Sequence, residues 1–225
     1  MPNAYLIRGY HALLSLLYPP KCPFCRRLLD RQGDLLCGDC QKTLPWLEEG
    51  AAKRTVDFTH GCWSPLAYRG KVPGAIQRFK FTPLRAYGRP LGILMAQCAR
   101  DRLPGGADGV VWAPLSARRR RRRGFDQGRE LAETVARELG LPMLPALEKF
   151  RDNPPQSGLT DASARKANAM GVYRLRKGAD VAGRRLILVD DVVTSGATLS
   201  ACAAVLRQGG AETVWCLTLA QARQG

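Results

Sequence analysis

A chain of 225 residues with 45% apolar, 7% aromatic and 24% charged residues has the composition of a globular protein, long enough to fold around a core without disulfides. Its charge is far from balanced: 35 Lys and Arg against 19 Asp and Glu leave a formal net charge of +16. That excess predicts an anionic partner, whether nucleic acid, an anionic membrane surface or a polyphosphate ligand. No run reaches the roughly 18–20 uncharged apolar residues that a membrane span needs, so no membrane span is expected.

In chain order, Leu6, Ile7, Tyr10, Leu13, Leu14 and Leu17 recur at steps of three and four, the pattern of an amphipathic helix stopped by Pro19 and Pro20. Arg8 and His11 interrupt the apolar stretch, no basic region precedes it and no small-residue cleavage site follows. It therefore reads as a helix packed on the body of the protein rather than a signal peptide, and a cytoplasmic location is expected. Cys22, Cys25, Cys37 and Cys40 then form C-x2-C-x11-C-x2-C. Each pair puts two thiolates on one tight turn, and two such turns supply four soft ligands for tetrahedral Zn2+. With every position filled by thiolate, the ion would be structural. The alternative, a pair of disulfides, requires an oxidising compartment. Cys62, Cys98, Cys202 and Cys216 lie among apolar residues and read as small core residues, with His60 a minor candidate for an extra ligand.

Residues 1–47 thus form a helix and zinc module, residues 48–56 a short polar linker, and residues 57–225 a second domain. That domain starts with a strand within Gly61 to Tyr68, then helices over Val72–Phe81 and Leu84–Arg102. From Val110 onward strand, loop and helix alternate as in a parallel sheet. VVWAP is a buried strand, Asp126 or Gln127 opens a helix lined by Leu131, Val135 and Leu139, and Gly140 closes it. LILVD at 186–190 is a second strand, a helix through Leu199, Cys202 and Leu206 follows, and TVWCLTLA is a third strand. The expected class is α/β, a mostly parallel twisted sheet flanked by helices, with a small N-terminal four-cysteine zinc module.

The stretch LILVDDVVTSGAT carries the chemistry. An apolar strand delivers Asp190 and Asp191 to the carboxyl edge of an open sheet, where ligands bind. Thr194, Ser195, Gly196, Ala197 and Thr198 then make a hydroxyl-rich turn entering a helix. Small side chains let backbone N–H groups approach an anion, hydroxyls add hydrogen bonds, and the helix start adds positive potential. The two carboxylates suit sugar hydroxyls as donors. Together they describe a site for a sugar carrying a terminal phosphate.

This string resembles the ribose-5-phosphate signature of the type I phosphoribosyltransferases. Taken with the zinc module, RRGFDQ at 122–127, QSGL at 156–159, Arg165 and Asn168, the chain resembles the ComF family of competence-associated phosphoribosyltransferase-like proteins along nearly its whole length. The resemblance implies that Asp190 and Asp191 hold the ribose 2′ and 3′ hydroxyls of phosphoribosyl pyrophosphate, and that Thr194 to Thr198 hold its 5-phosphate. Pro114 to Arg118, with Leu115, Ser116, Ala117 and Arg118 at its heart, would be the pyrophosphate loop, and Mg2+ would arrive mainly on the pyrophosphate. Where the family commonly has His and Asn, this chain has Ser116 and Asp126; both changes reduce attraction for pyrophosphate. Transfer would expel pyrophosphate from the anomeric carbon through a cation-like sugar.

The run Arg118, Arg119, Arg120, Arg121, Arg122 and Arg123 has two compatible readings: a solvated loop that helps hold pyrophosphate, or a contact for single-stranded DNA. Lys80, Arg151, Arg165 and Lys166 could extend a basic surface. The leading function is a ComF-like protein that binds phosphoribosyl pyrophosphate or a related ribose phosphate and assists uptake or processing of single-stranded DNA in natural transformation, with a helicase-like competence protein as an associated partner. The alternatives are a non-catalytic DNA- and partner-binding module on the same fold, and a nucleotide-salvage phosphoribosyltransferase.

Overall fold

The structure is a computed structural model that describes residues 19–31, 33–81, 87–151 and 171–222. The helix expected over 4–18 and the motifs at 156–168 lie outside the described residues. In chain order the elements are α1 (Gly38–Thr43), α2 (Glu49–Ala52), β1 (Lys53–Arg54), β2 (Cys62–Trp63), β3 (Leu66–Ala67), α3 (Val72–Phe81) and α4 (Gly88–Arg102). They continue with β4 (Gly109–Trp112), α5 (Ala117–Arg123), α6 (Gln127–Leu139), β5 (Leu147–Lys149), β6 (Tyr173–Leu175), β7 (Arg185–Val193), α7 (Ala197–Gln208) and β8 (Thr213–Gln221).

The main sheet runs β1-β2-β8-β7-β4, with β3 also on β8. All of its pairings are parallel except β1 with β2. A separate antiparallel hairpin joins β5 to β6. The centre is β7, where period-2 alternation sends Ile187 and Val189 into one core and Leu186 and Leu188 into the other. The first core holds Leu91 and Met95 of α4 and Leu131 and Val135 of α6; the second holds Leu199, Cys202 and Leu206 of α7. Being covered on both faces, β7 reads as a continuous apolar run.

Helices α4 and α6 pack so closely that Gly92 leaves no room for a side chain. A Cβ there would lie 2.5 Å from Thr134 Cβ and 2.8 Å from its Cγ2. Gly92→Ala improves intrinsic helix propensity by about 1 kcal/mol, yet overpacking of this kind costs about 1–3 kcal/mol. The expected result is a net loss of stability in denaturant unfolding, with the clash relieved only when Thr134→Gly removes the facing Cβ as well; an unaltered single variant would contradict this packing.

Two local expectations are revised. The polar stretch 48–56 is not a solvated linker: it folds into α2 and β1, with Ala52 and Val56 buried. Ala52 O accepts from Ser64 N at 3.1 Å, so the stretch is stitched to the sheet edge. The strand expected within Gly61 to Tyr68 divides into β2 and β3, separated by Ser64 and Pro65; proline has no N–H to give a ladder.

Candidate functional site

The four-cysteine cluster is assembled by two turns. In the first, Cys22 N donates to Arg27 O at 2.8 Å and Arg26 N to Cys22 O at 2.9 Å, with Arg26 at φ 67°. In the second, Cys37 is the N-cap residue of α1 and Cys40 lies within that helix. All four Sγ atoms lie within 4.8 Å of one another, and Cys25 and Cys37 are 3.4 Å apart. Zn–S bonds of about 2.3 Å place tetrahedral sulfurs about 3.8 Å apart, so the set fits a structural zinc ion. Four thiolates and Zn2+ leave a net charge of about −2, and Lys71 Nζ stands 3.9 Å from Cys40 Sγ to offset part of it. Burial works against ionisation of Cys25, but the Arg27 amide and the neighbouring thiols outweigh it and bring its thiol down to about 7. His60 is no part of the cluster: its Nδ1 accepts from Val214 N at 3.2 Å, and its ring lies 5.4 Å from that of Trp215.

The second site lies where β7 ends. A cavity of about 260 Å³ is lined there by Asp190, Asp191, Thr194 and Thr198. Leu115, Arg119 and Arg123 face it from the loop after β4 and from α5, and Lys80, Lys149 and Tyr173 complete it. Asp191 Oδ1 accepts from Lys80 Nζ at 2.8 Å, with both side chains largely shielded from water. Asp190 Oδ1 accepts from the Asp191 amide at 2.8 Å. Burial first, then the adjacent Asp191 charge, push Asp190 up to about 7. For Lys80, burial favours the neutral amine, but the charges of Asp191 and Asp190 prevail and hold its pKa above the ordinary lysine value.

The turn after β7 behaves as its composition requires. Gly196, at φ +79°, is the N-cap of the 12-residue α7, and a Cβ there would come within 3.3 Å of Val56 Cγ2. Ala197 N points to Ser195 Oγ at 3.5 Å. Thr194 and Thr198 border the cavity, while Ser195, Gly196 and Ala197 form the turn behind them.

The arginine run is a helix, not the solvated loop that its charge suggested. Ser116 caps it by accepting from Arg119 N, and Gly124 ends it at φ 78°. Arginine is a good helix former, and the helix sorts the run. Arg119 and Arg123, four residues apart on one face, line the cavity. Arg118, Arg120, Arg121 and Arg122 are exposed, and Arg120 and Arg121 border a separate, larger cavity with Arg129 and Arg176. Of the expected pyrophosphate loop, Leu115 lines the sugar-phosphate cavity, Ser116 is the buried cap, and Ala117 and Arg118 are exposed. Asp126 fixes this loop: its carboxylate accepts from Leu115 N at 3.2 Å and caps α6 by accepting from Arg129 N at 3.3 Å. Burial pushes its pKa up despite those bonds.

Sequence reasoning gave Lys80 only to a basic surface and did not single out Tyr68, Lys149 or Tyr173, which also line the cavity. No local pattern links Lys80 to a carboxylate 111 residues away.

A parallel sheet with an acidic pair and a hydroxyl-rich turn at its carboxyl edge, joined to a four-cysteine zinc module, defines a zinc-bearing protein of the type I phosphoribosyltransferase fold. The phosphoribosyl transferase domain family matches residues 126–225, and the double zinc ribbon domain family matches residues 13–55. The DNA utilization protein YhgH of Shigella flexneri is 32% identical over 206 residues, spanning 87% of this chain and 82% of its own. Competence protein F of Haemophilus influenzae is 28% identical over 235 residues, 90% of this chain and 97% of its own. The chain belongs to the ComF family. Among solved structures, the glutamine phosphoribosylpyrophosphate amidotransferase of B. subtilis is similar at 21% identity and TM-score 0.43, over 62% of this chain but 30% of that one. Adenine phosphoribosyltransferase of Leishmania tarentolae is similar at 17% identity and TM-score 0.38, over 83% and 73%. Among the described residues no helix is long and apolar enough to cross a membrane.

Proposed function

We propose that the protein binds phosphoribosyl pyrophosphate or a related ribose phosphate in the cavity at the end of β7, and that it works on single-stranded DNA in a DNA-utilisation or competence setting. The observation that carries the reading is the convergence of Asp190, Asp191, Thr194 and Thr198 with Lys80, Arg119 and Arg123 around one small cavity. In this reading the carboxylates accept from the ribose 2′ and 3′ hydroxyls, the Thr194 to Thr198 turn takes the 5-phosphate, and Arg119 and Arg123 face the pyrophosphate. Mg2+ would enter mainly on the pyrophosphate.

The cations around the cavity could stabilise departing pyrophosphate. A four-thiolate zinc site needs reduced cysteines, which suits a reducing, cytoplasmic setting. On the zinc module, Leu28 and Trp46 are exposed and would contact a helicase-like partner. Ribose 5-phosphate at about 100 times its Kd is expected to stabilise the fold by about 2.7 kcal/mol, read as a rise in unfolding temperature; no rise at saturating concentration would contradict the assignment.

DNA binding is assigned to the outward arginines. Phosphate contacts by Arg120, Arg121 and Arg122 would contribute about −0.7 × 3, roughly −2, to the slope of log K against log salt for single strands. Changing all three to glutamine is expected to flatten the slope by about that amount and leave ribose-phosphate affinity unaltered. An unmoved slope would take DNA away from this helix.

A further inference from the structure

Helix α3 is in contact with both sites. Arg78 Nη2 donates to the carbonyls of Pro23 and Phe24 in the first zinc turn, at 2.9 and 2.8 Å. Lys80 Nζ reaches Asp191. Residues two apart project about 200° from each other around a helix, so the two side chains leave α3 on opposite sides, one toward the zinc turn and one toward the end of β7. The buried residues Ala75, Ile76 and Phe79 seat the helix on the core, and Phe79 meets Phe125 edge-on at 5.7 Å between ring centres. Its last turn is also held from the side: Gln127 Nε2 donates to Lys80 O at 3.4 Å, and Arg123 Nη1 donates to Gln127 Oε1 at 2.6 Å.

We propose that the zinc module governs the sugar-phosphate site through α3: Arg78 clamps the helix to the zinc turn, and Lys80 is the positioning residue that holds Asp191 in place beside Asp190. The proposal rests on the ribose-phosphate reading of the cavity. Adjacent carboxylates at a shielded sheet edge repel each other, and an ammonium in contact with Asp191 offsets that repulsion and lowers the cost of charging Asp190. The carbonyls that anchor Arg78 belong to the turn between Cys22 and Cys25, whose shape the four-thiolate site fixes. A module far from the reacting sugar would thereby acquire a role at it.

The groups that face the Lys80–Asp191 pair decide what titrates. Asp190 adjoins it on β7, Arg119 and Arg123 on α5, and Lys149 and Tyr173 on the β5–β6 hairpin. Asp126 at the start of α6 and Cys202 of α7 act on Asp190 or feel its charge. Arginine stays protonated, and burial pushes Tyr173 and Cys202 well above their ordinary values. Burial also raises Asp126, but from a carboxylate starting point. Asp190, at about 7, is thus the group whose charge changes most between pH 6 and 9.

The test is calorimetric titration of the full, zinc-loaded chain with ribose 5-phosphate across that range. Wild-type affinity is expected to rise through about pH 7 to a plateau. Lys80→Ala should displace the rise upward by about one pH unit, which is about tenfold weaker binding near neutrality, and Lys80→Arg should restore it. Arg78→Ala should shift the profile in the same sense and add nothing in the Lys80→Ala background, because both act through one contact; Arg78→Lys serves if that variant does not fold. A uniform drop with the midpoint unmoved, or additive effects of Arg78→Ala and Lys80→Ala, would overturn the proposal. If the wild type binds no ribose phosphate, the cavity reading fails on its own. The proposal is then decided by unfolding: the pH at which the stability advantage of Asp190→Asn over the wild type stops growing should rise by about one unit in the Lys80→Ala background, and an unmoved plateau would refute it.

Discussion

Replacing Asp190 and Asp191 together by asparagine is expected to abolish ribose-phosphate binding, while Asp190→Asn alone leaves a folded, more stable protein. Hydrogen bonds to charged groups contribute about 1.5–3 kcal/mol each, so losing two acceptors should weaken binding by roughly 100-fold or more. The stability effect follows from Asp190. Its folded pKa, pushed up to about 7 by burial and by Asp191, lies above its value in the unfolded chain. The native state therefore binds the proton more tightly, and stability falls as pH rises from about 4 to about 7. Asparagine has no such charge to develop, so Asp190→Asn alone should match the wild type at pH 4 and exceed it above pH 7. Unfolding at several pH values, paired with binding at pH 8, checks both halves. An Asp190→Asn variant that is less stable than the wild type at pH 8, or a double variant that binds as well as the wild type, would show that the acidic pair serves the fold instead of a ligand.

Loss of zinc is expected to be the largest stability effect in the molecule. Cys22 and Cys40 are fully buried, and Phe24 and Leu44 share a core with α4 and β7. Structural zinc contributes about 10–16 kcal/mol of apparent binding free energy in small zinc-finger peptides, as much as the whole stability of a typical domain. Metal analysis should find about one zinc per chain, and a strong chelator should unfold at least residues 19–47, followed through Trp46, whose indole donates to Gln41 O at 2.7 Å. Cys40→Ser should give the same phenotype without chelator. A metal-free chain with unaltered near-UV circular dichroism would contradict the assignment.

What could be read from sequence was whatever is local. The run LILV is apolar because both faces of β7 are covered, and its two acids come directly after it, so strand, site and turn were visible together. The α6 boundaries were legible from Asp126, which caps the helix, and Gly140, which ends it at φ 68°. The arginine helix was misread because repulsion among six like charges outweighed its end signals, although Ser116 and Gly124 bracket it as cap and stop. Residues 48–56 looked like a linker because their apolar content is small, yet Val56 packs beneath Gly196 of the phosphate turn. Lys80 was out of reach altogether: its role depends on α3 lying between the zinc turn and β7, a tertiary fact with no periodicity to announce it.

The most direct measurement is calorimetric titration of the zinc-loaded protein with phosphoribosyl pyrophosphate and Mg2+ in moderate salt near pH 8, with pyrophosphate and ribose 5-phosphate titrated alongside. Saturable one-site binding in the micromolar range, about −8 kcal/mol, is expected, with ribose 5-phosphate competing for the same site and Asp190→Asn with Asp191→Asn silent. Absence of heat and of competition in a folded, zinc-loaded chain, or binding by pyrophosphate alone that the double variant leaves untouched, would contradict it.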